Sequence, residues 1–291
     1  MFFRHSLFSP TVLAVVFLGS LSPCLEAQSP RHSFLPMLGE GSQIEASGQQ
    51  RSHWLIAETP SFRVYSVAGE ALPAEIGRHC ETLRSQLIAK WSGDSGPPAW
   101  SPKCVVVVHP NRESYLESVG SESADTAGSS LVTWRTGKVR ARRVDLRGDR
   151  IDFRTAALPH ELAHLLLADL FPGRCLPRWA DEGVAILEDA PSKRDLHLRD
   201  LQLGHAEGRL FHVRDLFRMR DYPSRHDWGV FYAQSASVVE YLVGQATPRQ
   251  FVRFLERATE KDLDGALREC YGIADVEELD RLWRATLVAT R

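Results

Sequence analysis

Apolar positions along the chain follow two rhythms: strand patterns interspersed with helical spacing before about residue 150, and helical spacing alone beyond residue 155. Ser61-Phe-Arg-Val-Tyr-Ser66 alternates apolar with polar residues and predicts a strand. The unbroken run Cys104-Val-Val-Val-Val-His109 predicts a buried one. Between them, Pro73 to Trp91 spaces Ile76, Cys80, Leu83, Leu87 and Ile88 as a helix does, so the chain opens β-α-β. A helix over Arg112 to Val119 and a Gly/Ser-rich loop follow. Next, Leu131-Val-Thr-Trp-Arg135 and Val139 to Leu146 flank Thr136-Gly137-Lys138, which is the turn chemistry of a hairpin. Past residue 155 the spacing predicts helices around 158–170, 178–189, 230–245, 248–258, 262–271 and 275–289. The expected fold class is α+β, an N-terminal mixed sheet with helices followed by a mostly helical half.

The first residues obey a different logic. Arg4 and His5 precede the apolar run Thr11 to Leu21, and Leu25-Glu26-Ala27 follows, which is the pattern of a signal peptide over residues 1–27. The run is short for a membrane span, so an exported protein is expected. Leu21-Ser-Pro-Cys24 resembles a lipoprotein processing site, but Pro23 directly before Cys24 argues against lipid anchoring there. Residues 28–52, rich in Ser, Gln and Gly, read as a flexible lead-in. The remainder divides into a sheet subdomain over 53–150, a helical subdomain over 151–245 and C-terminal helices over 246–291.

Composition narrows the partners. A formal charge of −2 gives no electrostatic reason to expect nucleic acid, and the cluster Arg140, Arg142, Arg143, Arg147 and Arg150 reads as the solvated side of a strand. Without the leader four cysteines remain, an even number in an oxidising compartment. The packing of helix on strand in a β-α-β unit predicts a Cys80–Cys104 bridge. Cys175 follows Pro172-Gly173-Arg174 in a turn with no base in view, so it is not expected to be a nucleophile.

The chemistry is concentrated in Leu158-Pro-His160-Glu161-Leu-Ala-His164. Two His at i and i+4 share a helix face and can converge on one ion, with Glu161 beside them as a general base. Catalytic zinc takes three protein ligands, and Glu182, in Leu176-Pro-Arg-Trp-Ala-Asp-Glu-Gly-Val-Ala185, stands at a workable distance for the third.

His-Glu-x-x-His followed some eighteen residues later by Trp-Ala-Asp-Glu-Gly resembles the gluzincin peptidases, the clan of thermolysin and of the aminopeptidases related to leukotriene A4 hydrolase. More narrowly, residues 54–291 resemble exported peptidase MA-like proteins. The resemblance implies a zincin-like fold, zinc on His160, His164 and Glu182, Glu161 as base, and a peptide or protein as substrate. It also implies a tyrosine that supports the oxyanion; Tyr232 is the candidate and His226 the reserve. Thermolysin-like members place an Asp one turn after the third ligand to orient a ligand His. Here Ile186 holds that place, leaving Asp181 or Asp169 as substitutes. By the same analogy Val139 to Leu146 is the edge strand that receives an extended peptide. The Gly-rich motif of the aminopeptidase branch is not seen, which favours an endopeptidase. A rival reading keeps the metal without the catalysis: an exported zinc-binding or interaction protein with a peptidase-like fold.

Overall fold

The computed structural model describes residues 54–289 apart from 68–71, 97 and 261; the expected signal peptide, the lead-in and Cys24 lie outside the described residues. The chain runs β1 (Trp54–Glu58), β2 (Phe62–Val67), α1 (Pro73–Trp91), β3 (Cys104–His109), α2 (Arg112–Val119), β4 (Gly128–Arg135) and β5 (Lys138–Arg147). Helices follow: α3 (Leu158–Leu170), α4 (Arg178–Leu187), α5 (Pro191–Ala206), α6 (Val213–Arg218), α7 (Trp228–Gln245), α8 (Pro248–Glu260), α9 (Leu263–Tyr271) and α10 (Val276–Ala289). The α+β class expected from the two rhythms is the one observed: a mixed sheet, then a helical half.

The five strands lie in the order β1-β2-β3-β5-β4. β2, β3 and β5 run parallel, while β1 and β4 pair antiparallel with β2 and β5. This order corrects one expectation. The strand containing Val139 to Leu146 is interior, hydrogen-bonded to β3 on one side and β4 on the other, so β4 is the edge. The reason is topological: a tight hairpin joins β4 to β5, and when β5 pairs with β3 its partner is forced outward.

Strand alternation assigns the two faces of the sheet. Cys104, Val106 and Val108 of β3 and Val144 and Leu146 of β5 are buried in the main core beside α1 and α3. On the opposite face His109 meets Tyr115 of α2, and Asp145 accepts hydrogen bonds from His109, Ser118 and Arg143. The arginine cluster is therefore not a solvated stripe. Arg142 is buried against Trp100 and pairs at 2.6 Å with Asp169 in the last turn of α3, which ties the sheet to that helix.

The expected Cys80–Cys104 bridge is not formed; both are buried free thiols. Burial pushes the Cys80 thiol up to about 12 and Cys104 well above its ordinary value, so each packs as a small, protonated, unreactive side chain.

The core continues without a break from sheet to helices. α3 is buried on all sides from Leu158 to Leu167, which makes it the central helix. α4 packs beside it and against α7, and the α4–α7 crossing is set by a missing side chain. A Cβ on Gly183 would stand 2.5 Å from Val239 Cγ2 and 2.7 Å from the Ser235 carbonyl oxygen. α5 has no clear signature in the sequence. Its leucines at 196, 198 and 203 are exposed and follow no helical stripe, while Leu201 and Gly204 alone are fully buried.

Gly183→Ala is accordingly expected to destabilise the fold by about 2 kcal/mol or more, because backbone lies in the way of the new methyl group. Thermal melting should show Tm lowered by roughly 4–8 °C. An unchanged Tm would mean that the two helices separate freely.

Candidate metal centre

Two helices bring the donor groups together. α3 supplies His160, Glu161 and His164, with Pro159 in its first turn, directly after the π-helical turn Phe153–Ala157. α4 opens just after Pro177 and supplies Asp181 and Glu182 in its first two turns. His160, His164 and Glu182 each offer a ligand atom, all within 4.8 Å of one another and all buried. Glu182 Oε2 lies 3.9 Å from His160 Nε2 and 4.0 Å from His164 Nε2. Tetrahedral donors ~2.1 Å from zinc stand roughly 3.4 Å apart, so the Glu182 carboxylate is about half an ångström from ligand spacing to each imidazole.

Several polar atoms at this point lack protein partners. His160 Nε2, both carboxylate oxygens of Glu161 and Glu182 Oε2 are buried with no hydrogen bond. Such atoms are rare in folded proteins, since each forfeits its hydration, and their convergence at one point is what a cation and its water would satisfy. Two imidazoles and one carboxylate are also the donor chemistry of a catalytic zinc site.

The far ring nitrogens are oriented from behind. His164 Nδ1 donates to Asp181 Oδ1 at 2.9 Å, and His160 Nδ1 stands 3.3 Å from Asp189 Oδ1. A carboxylate only accepts, so each contact favours the proton on Nδ1 and leaves Nε2 open toward the centre. Lys193 in turn pairs with Asp189 at 2.7 Å. Of the two substitutes expected to orient a ligand His, Asp181 does so and Asp169 does not, being engaged by Arg142. Asp189 is absent from the sequence expectation. It stands seven residues after Glu182, just past the end of α4 at Leu187, instead of one turn after the ligand, so helical spacing does not single it out.

The edge strand comes close to Glu161. A Cβ on Gly128 of β4 would stand 2.8 Å from Glu161 Oε1, so only glycine lets β4 lie this near the carboxylate. Ser130, two residues along the same face, sits beside Glu161 without hydrogen-bond geometry. Burial is the main force raising the Glu161 carboxyl to about 7, the range suited to a group that both takes and returns a proton.

Tyr232 is buried in α7, with its ring 6.0 Å from that of Tyr222. His226 is exposed on the short turn Arg225–Asp227 before α7. Tyr222, on the segment between α6 and α7, carries no motif that singles it out in the sequence, yet its hydroxyl donates a hydrogen bond to Glu182 Oε1.

Without a metal, this much buried charge makes stability depend on pH. Burial lowers His164, but Asp181, Glu182 and Glu161 outweigh it and raise the imidazole to about 9. Glu182 and Glu161 are each raised to about 7, chiefly by burial. A group whose folded value is raised contributes stability below its unfolded value and loses it as pH climbs through the folded one. The two carboxyls lose theirs between about 4.5 and 7, and His164 between about 6.5 and 9. The metal-free protein is therefore expected to melt at progressively lower temperature from pH 7 to 9. A Tm rising across that window would contradict this charge arrangement.

A model of the peptidase MA superfamily matches residues 137–289, from the turn between β4 and β5 to the end of α10. Comparison with curated proteins gives no match. The matched region spans more than half of the 291-residue chain and carries the whole donor cluster, so the chain belongs to the peptidase MA superfamily.

Proposed function

We propose that this chain is an exported zinc-dependent metallopeptidase that hydrolyses peptide bonds, with His160, His164 and Glu182 as ligands and Glu161 as general base. The observation that carries this reading is the set of buried, unpartnered donor atoms of His160, Glu161 and Glu182 at one point in the core. Membership in the peptidase MA superfamily supports the peptide bond as the target. Export rests on the leader pattern of the first 27 residues; among the described residues no helix is long and apolar enough to cross a membrane.

Zinc, when bound, supplies a Lewis acid that acidifies water and polarises the scissile carbonyl. The chain's own residues do the rest. An extended substrate adds to the outer edge of β4, whose Gly128 end lies over Glu161. Glu161 accepts a proton from the attacking water and passes it to the leaving amine; a carboxyl held near 7 by burial can do both. Asp181 and Asp189 hold the two imidazoles in place. The Tyr232 hydroxyl supports the developing oxyanion.

Purified protein is expected to hold about one zinc and to cleave members of a peptide library. Glu182→Ala should lose the metal, whereas Glu161→Gln should keep it and turn over at least roughly a hundredfold more slowly. Metal analysis beside the cleavage assay separates the outcomes: zinc without hydrolysis in the wild type points to the metal-binding protein without catalysis, and no zinc at all defeats the reading. Tyr232→Phe should leave zinc content and Tm near wild type while lowering kcat by roughly ten- to a thousandfold. Steady-state kinetics giving a kcat within about twofold of wild type would remove Tyr232 from the mechanism.

A further inference from the structure

Glu182 uses its two carboxylate oxygens differently. Oε2 faces His160 Nε2 and His164 Nε2 at 3.9 and 4.0 Å, while Oε1 is turned away and accepts the Tyr222 hydroxyl. A metal-binding carboxylate on a mobile side chain has two modes open to it, one oxygen or both. A hydrogen bond fixed on the rear oxygen biases it toward the first.

Tyr222 is well placed to impose that bias, because its ring is held from several sides. Ring centroids of Trp228, Phe231 and Tyr232 lie 6.2, 5.8 and 6.0 Å away, and the Arg178 guanidinium stands 5.1 Å from its centre. Three of these neighbours belong to the first turns of α7. The fourth opens α4, the helix that carries Glu182. The tight crossing at Gly183 fixes α4 against α7, so the phenol and the carboxylate it holds are referenced to the same pair of helices.

From this geometry we infer that Tyr222 is a positioning residue for the metal, locking Glu182 as a one-oxygen ligand and so setting both the affinity of the site and its preference for a four-coordinate ion. The inference rests on the zinc reading given above. It concerns a different tyrosine from Tyr232 and a ground-state role, since Tyr222 acts on the ligand and Tyr232 on the substrate.

The test uses zinc alone as the probe, titrated into metal-free full-length protein against a chromogenic chelator. Tyr222→Phe keeps the ring in its aromatic surroundings and removes only the hydroxyl. It is expected to weaken zinc binding by roughly ten- to a hundredfold, as losses of hydrogen bonds behind a ligand commonly do, while the Tm of the metal-free protein stays near wild type. Cobalt substitution gives a second signature, a weaker visible absorption in the variant as the freed carboxylate supplies its second oxygen and raises the coordination number. Wild-type affinity that Glu182→Ala leaves unchanged would remove the zinc reading and this inference together. A zinc affinity of Tyr222→Phe within about twofold of wild type would overturn the inference alone. Should the variant fail to fold, a zinc-loaded crystal structure of the wild type decides the matter: Glu182 bound through Oε2 with Tyr222 on Oε1 supports the inference, and both oxygens on the metal refutes it.

Discussion

The convergence of α3 and α4 on one buried point is the constraint from which the rest of this structure follows. Two imidazoles and two carboxylates, His160, His164, Glu161 and Glu182, share an interior from which water is largely excluded. Burying so many ionisable groups is unfavourable unless each is paired, and the protein pairs them incompletely. Asp181 and Asp189 stand behind the imidazoles and Tyr222 behind Glu182, but the inward atoms of His160, Glu161 and Glu182 are left without protein partners. A purely structural polar cluster would close that gap from within the chain. The metal proposed above would close it from outside.

Much of the architecture keeps this point in register. α3 is buried on all sides and tied to the sheet through Arg142 and Asp169. α4 is pressed onto α7 at Gly183, where even a methyl group would collide with backbone. Trp179, three residues before Glu182, stacks on Phe217 at 3.9 Å and anchors the same helix against α6. Such close packing resists small displacements, which is what donors that must stay within tenths of an ångström require.

The sheet contributes differently. Its edge strand β4 passes beside Glu161 because position 128 has no side chain, so the outer backbone edge and the proposed base lie next to each other. In the proposed mechanism, that juxtaposition is what would join peptide binding to peptide hydrolysis in one place. It also accounts for the absence of a side chain at a strand position that would otherwise favour a β-branched residue.

The sequence by itself determined whatever depends on local spacing. The i, i+4 histidines with Glu161 between them, the strand and helix rhythms, and Glu182 shortly after Pro177 are all readable because helix and strand periodicity fix which side chains share a face. The tertiary structure decided what depends on elements meeting across long separations. It made β4 the edge strand in place of β5, left Cys80 and Cys104 as free thiols, and drew Arg142 inside onto Asp169. It also set Asp189 behind His160 and brought Tyr222 onto a carboxylate forty positions earlier. None of these has a local signature: which strand lies outermost follows from pairing order, and whether a polar side chain finds a partner follows from packing of segments far apart in the chain.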